Sequence, residues 1–134
     1  MNARSLMLLA KAHPDLRRLM IEAAKECPVE LEISEVMRTL ARQASLVKAG
    51  ASKTMTSRHL TGHAADFYVN VNGKLRWDWP LYVIAATHIK KVATAFDIRI
   101  VWGGDWKGFR DGPHVELDRK VYPSLNFARG KTWA

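Results

Sequence analysis

The chain has 134 residues and 48% hydrophobic content, enough for one core and too little to give two domains a core each. Its 21 Lys plus Arg against 13 Asp plus Glu give a formal charge of +8, which favours polyanionic partners such as nucleic acid, anionic lipid or envelope polymers without choosing among them. A single cysteine, Cys27, excludes an intrachain disulfide and a cysteine-rich zinc knuckle, and no apolar run approaches membrane-spanning length.

The first third reads as helical. Leu6, Leu9, His13, Leu16 and Met20 recur at steps of three and four, and Pro14 starts a new helix over HPDLRRLMIEAAKE that Pro28 closes. The short apolar run LMLLA is no secretory signal, so synthesis and folding in the cytoplasm are expected. VELEI, residues 29 to 33, alternates like a strand. TLARQASLVKAG reads as a helix with Thr39 as N-cap and Gly50 as its stop. After the polar loop ASKTMTS, residues 64 to 71 alternate again, with Ala65, Phe67, Val69 and Val71 on one face and Asp66, Tyr68 and Asn70 on the other. Asn72-Gly73 predicts a hairpin turn with KLRW returning. A helix follows Pro80 through LYVIAATHIKKVATAF, then come the strand IRIVW, the glycine-rich loop GGDWKGFRDGP and the strand HVEL. The tail YPSLNFARGKTWA gives no regular pattern. These elements predict an α+β fold: a small, mostly antiparallel sheet with helices packed on one side.

Chemistry gathers in two places. SRHLTGHAADF, residues 57 to 67, holds two histidines and an aspartate, and DGPHVEL follows much later with Asp111, His114 and Glu116. A hydrolytic zinc site takes three imidazole or carboxylate ligands and keeps an open position, and His59, Asp66 and His114 would supply that set. Asp66 falls on the polar face of its strand, and Gly62 lets the backbone turn between His59 and that strand. On spacing alone the other reading stays open: surface polar residues near turns, with one satisfied core histidine. The helical H-E-x-x-H motif, a phosphate-binding loop and a serine elbow are all absent. Cys27 sits in an apolar helical context and reads as a core thiol.

Taken together, these segments resemble the zinc peptidases of the D-alanyl-D-alanine carboxypeptidase type. More narrowly they resemble the L-alanyl-D-glutamate endopeptidases that bacteriophages use as endolysins. The pattern S-x-H-x-x-G-x-A-x-D followed by a late acid-x-x-H is met by Ser57, His59, Gly62, Ala64, Asp66, Asp111 and His114. Arg38 and Gln43 match an upstream stretch, WGGDW at 102 to 106 matches a later one, and HPDLRRLM fits near the start, so the likeness covers most of residues 38 to 117. Val36 departs from it, since the family often has glycine two residues before the matching arginine; the departure is expected to leave the ligands untouched.

The resemblance implies one Zn2+ per chain at the sheet and its adjoining loops, held by His59, Asp66 and His114. Asp111 is implied as the acid–base and Arg38 as the cation that holds substrate or stabilises an oxyanion. Ser57, Gln43, Asp105, Trp106 and Glu116 are implied as substrate contacts or supports of the ligands, with Ser57 equally a turn cap and Trp102 equally core. His63 is expected to face away from the metal, as a solvated or supporting residue. The implied substrate is bacterial peptidoglycan, cut between L-alanine and D-glutamate for host lysis. The implied protein is a monomeric single domain over 1–134 without a separate wall-binding module. It would not insert in the membrane and would be released from the host cytoplasm by a separate phage pore protein, to act in the periplasm. Two other readings use the same ligands: a D-alanyl-D-alanine carboxypeptidase or dipeptidase, and a non-catalytic wall-binding protein with a closed structural zinc. Nucleic-acid binding, which the charge permits, lacks a reader motif and is not expected.

Overall fold

The computed structural model describes residues 1–123, so the tail from 124 onwards, which gave no regular pattern, lies outside the described residues. Helices α1 (Ala3–Leu9) and α2 (Pro14–Lys25) lead into β1 (Glu30–Glu35) and α3 (Leu40–Lys48). The strands β2 (Ala64–Val71) and β3 (Lys74–Arg76), the helix α4 (Trp79–Ala95), and the strands β4 (Ile100–Trp102) and β5 (His114–Leu117) follow. The sheet runs β1-β2-β5-β4, with β3 paired to the far end of β2, and every pairing is antiparallel.

Local signals explain most boundaries. Pro14 stands in the first turn of α2, where a missing N–H costs nothing, and the His13 ring accepts from the Asp15 N–H at 3.1 Å. Thr39 caps α3 by accepting from the Arg42 N–H at 3.1 Å. Asn72 and Gly73 both take positive φ, 53° and 77°, as a two-residue hairpin turn demands. Two short 3-10 turns, Arg58–Thr61 and Gly103–Asp105, stand where the sequence reads as loop. The strand read as IRIVW is shorter than its pattern, because the Ile98 N–H is taken by the Ala93 carbonyl at the end of α4 at 2.9 Å.

The period-two pattern divides the sheet into two faces. Leu31, Ile33, Ala65, Phe67, Val69, Val115 and Leu117 are buried with Leu16, Leu19 and Met20 of α2 and Tyr82, Ala85 and Ile89 of α4 in a single core. Each of the larger aliphatic side chains and Phe67 contributes about 1.5–3 kcal/mol on burial. Helix α1 covers the free edge of β1, where the Ile33 N–H donates to Ser5 Oγ at 2.9 Å. Asp66, His114 and Glu116 alternate with the core residues and emerge on the opposite face.

Candidate metal centre

Strand register makes the first contact. Asp66 on β2 is paired directly with His114 on β5, so their side chains rise together from the polar face. His59 arrives from the 3-10 turn before β2. Ser57 caps that turn by accepting from the His59 N–H at 3.2 Å, and Gly62 ends it in the left-handed conformation at φ 73°. Ligand atoms of His59, Asp66 and His114 lie within 4.8 Å of one another.

The hydrogen bonds behind these rings decide what the inner atoms offer. His59 Nδ1 donates to the Val36 carbonyl at 2.8 Å, which leaves Nε2 facing Asp66 Oδ1 at 3.1 Å. His114 Nε2 donates to Glu116 Oε1 at 2.8 Å, which leaves Nδ1 facing the same Oδ1 at 3.2 Å. With neutral rings, two nitrogen lone pairs and an anionic oxygen therefore converge, an arrangement that a cation relieves. The donor set of two imidazoles and one carboxylate fits a zinc site that keeps an open position. Val36 meets His59 through its backbone carbonyl, which any residue supplies, so this contact does not depend on the side chain that departs from the family pattern.

Without a metal ion, protons carry that positive charge. Burial works against a charged His114, but hydrogen bonds to Asp66 and Glu116 outweigh it and push the ring up to about 9. Burial likewise opposes ionisation of Asp66, yet the charge of His59 and the hydrogen bonds from both rings hold its carboxyl far below the usual range. Burial raises the Asp111 carboxyl, and the nearby charge of Asp66 adds to that.

His59, Asp66 and His114 all line a cavity of about 740 Å³ that Asp111, Arg38, Trp106 and Glu116 also line. Asp111 is set by the 103–111 loop: its N–H donates to the Gly103 carbonyl at 2.9 Å, and its own carbonyl accepts from the His114 N–H at 3.2 Å. Arg38 is bound to Glu35, donates to Gln43 Oε1 at 2.8 Å and approaches Asp66 Oδ2 at 3.6 Å. Burial opposes the Glu35 charge, but hydrogen bonds from Arg38 and Arg42 hold its carboxyl below its ordinary value. Gln43 is fully buried and also donates to Ser52 Oγ at 2.9 Å, tying Arg38 to the loop over the cavity. The Trp106 ring lies 4.9 Å from that of His114.

Some sequence candidates go elsewhere. Asp105 points to the far side of its turn and binds Lys90 of α4 at 2.6 Å, outside this cavity. Trp102 is core, with its indole N–H donating to the Gly112 carbonyl at 2.7 Å. His63 lies outside the metal cluster, but it is not solvated: it is 1% exposed, bonded to Thr61 and packed on the His13 ring, and burial lowers it to about 4. The sequence reading missed two residues that shape the site. A Cβ on Gly103 would lie 2.4 Å from the Asp111 carbonyl and 3.0 Å from His114 Cβ, so only glycine lets these strands of the site approach. Arg119 stands 3.5 Å from Glu116 Oε2 and donates to the Thr56 carbonyl at 3.2 Å, fixing the carboxylate that orients His114. The WGGDW stretch carried the first signal; nothing local marked the second.

A family model of phage L-alanyl-D-glutamate peptidases matches residues 1–124. The L-alanyl-D-glutamate peptidase of Listeria phage A118 is 40% identical over 113 residues, which cover 84% of this chain and 39% of that protein. That of Escherichia phage T5 is 29% identical over 124 residues, covering 81% of this chain and 90% of the relative. The chain thus spans well under half of the Listeria phage protein and nearly all of the T5 one. The crystal structure of the Serratia marcescens L-Ala D-Glu endopeptidase ChiX superposes with a TM-score of 0.88 at 40% identity, covering 92% of this chain and 93% of that one.

Proposed function

The chain belongs to the phage L-alanyl-D-glutamate peptidase family, and from that premise we propose that it is a zinc-dependent endolysin hydrolysing the L-alanyl-D-glutamate bond of peptidoglycan stem peptides. The observation that carries this reading is the convergence of His59, Asp66 and His114 in a cavity that Asp111 shares.

His59 Nε2, Asp66 Oδ1 and His114 Nδ1 would hold the ion, which when bound supplies Lewis acidity to activate a water and a scissile carbonyl. Asp111 takes the proton of the attacking water and passes it to the departing amine of D-glutamate. Burial raises the Asp111 carboxyl in the metal-free site, which favours the proton-holding form that the donating half of that role needs. Arg38, steadied by Glu35 and Gln43, faces either the oxyanion that develops on the L-alanine carbonyl or the α-carboxylate of D-glutamate beside the cut. Trp106 walls the ligand His114 and narrows access to it. The protein would be made in the host cytoplasm and reach the wall through a separate phage pore; no helix among the described residues is long and apolar enough to cross a membrane. The net charge of +8 steers it towards the anionic envelope.

Digestion of purified murein with zinc present is expected to create new L-alanine carboxyl and D-glutamate amino ends, identified by end-group labelling and mass spectrometry. Release of D-alanine instead would assign the chain to carboxypeptidase chemistry. Gly103→Ala is expected to lower the rate on the order of a hundredfold, because the added methyl displaces Asp111 and His114 together. A Gly103→Ala enzyme with the parent rate would show that the 103–111 loop yields without moving either side chain.

A further inference from the structure

The cations of the cavity are not all engaged by the protein. Arg38 and Arg42 bind Glu35, and Arg119 faces Glu116. The buried Arg58 donates to the carbonyls of Leu117 and Tyr122 at 3.2 and 2.6 Å. Lys53 and Lys107 also line the cavity, are exposed, and have no acidic partner among the described residues. They stand on opposite loops: Lys53 on the segment after α3, Lys107 on the segment before Asp111. Lys53 reaches across, with Nζ 5.2 Å from the ring centroid of Phe109 on the facing loop. Two uncompensated ammonium groups thus flank the mouth, while Arg38, with its side chain 9% exposed, lies at the floor.

We propose that Lys53 and Lys107 form a carboxylate subsite that reads the third residue of the stem peptide and favours a diamino dicarboxylic acid over lysine there. The inference rests on the peptidoglycan reading above and goes one residue beyond it. In the stem, D-glutamate continues through its side-chain carboxyl, so its α-carboxylate stays beside the scissile nitrogen, within reach of the floor. The next side chain extends outwards to the rim. In one class of wall it ends in a carboxylate and an ammonium, whose charges cancel, in the other in a bare ammonium. Two lysines attract the carboxylate of the first end and repel the uncompensated ammonium of the second, and discrimination draws on both effects. A cavity of about 740 Å³ has room for this residue besides the two that flank the cut.

The test compares hydrolysis of N-acetyl-L-Ala-γ-D-Glu-meso-diaminopimelate and N-acetyl-L-Ala-γ-D-Glu-L-Lys by the zinc-loaded enzyme. The diaminopimelate peptide is expected to have a kcat/KM about five- to tenfold higher, as two partly exposed ion pairs give. The difference should lie in KM and shrink with added salt. The double variant Lys53→Glu/Lys107→Glu is expected to reverse the order, and Lys53→Met/Lys107→Met to abolish the preference. Equal kcat/KM on the two peptides, or a charge-reversed enzyme that keeps the parent's preference, overturns the subsite and leaves the endopeptidase activity standing. Failure to cut either peptide overturns the activity and the subsite together.

Discussion

Asp111→Ala is expected to abolish murein hydrolysis while zinc uptake stays at the parent level. A positioned general acid–base contributes about 10²–10⁴-fold to rate. Asp111 serves both halves of the proposed reaction, so its removal leaves the attacking water without an acceptor and the amine without a donor. Metal uptake is expected to be spared because the atoms that would hold the ion belong to His59, Asp66 and His114, which are held from behind by Val36, Glu116 and the pairing of β2 with β5. The Asp111 side chain supports none of these bonds; its backbone does, by accepting from the His114 N–H, and alanine keeps that backbone. Turnover with synthetic stem peptide and zinc content by atomic emission measure the two expectations separately. An alanine variant that lyses at the parent rate removes Asp111 from the mechanism. One that loses zinc along with activity makes Asp111 a structural support instead.

Stripping the metal with a chelator is expected to stop turnover completely, and zinc to restore it; full activity in metal-free protein would defeat the mechanism. The ion also replaces a proton, which gives the effect a pH dependence. In the metal-free fold His114 titrates near 9 against an ordinary value of 6.5. A raised folded-state pKa stabilises the metal-free protein fully below 6.5, and that contribution is lost as pH rises through about 9. The zinc-loaded protein has no such proton to lose. The gain in Tm on adding zinc should therefore be smallest near pH 6 and grow towards pH 9, and zinc uptake at neutral pH should release protons to the buffer. Paired thermal melts at the two pH values and calorimetry in buffers of different ionisation heat check this. A zinc-induced shift in Tm that is the same at both pH values would exclude a protonated His114 in the metal-free site.

Much of the fold was legible because its signals are local. Alternation over residues 64 to 71 placed Phe67 and Val69 inward and Asp66 outward, since successive side chains in a strand must alternate. Pro14, Thr39 and Asn72-Gly73 mark boundaries through dihedral and capping constraints that act within a few residues. Where neighbours in space decided, the sequence fell short. The IRIVW pattern lost its first residues to the end of α4, and the loop before β2 folded into a buried 3-10 turn.

The same division runs through the site. By itself the sequence determined which residue types stand at the family's spacings, the face on which Asp66 lies, and the need for glycine at 62, where φ is positive. Spacing alone could not rank five histidines or several acids, because each is equally polar in one dimension; the family pattern ranked them, setting His59 and His114 above His63. Tertiary structure brought His114 opposite Asp66 by strand register, buried His63 against His13, and turned Asp105 away to Lys90. It also made Gly103 indispensable through a close approach to Asp111 rather than through its own dihedral angles. The physical reason is range: backbone and turn preferences act between neighbours in the chain, while a shared cavity is set by strand pairing and core packing between residues dozens of positions apart.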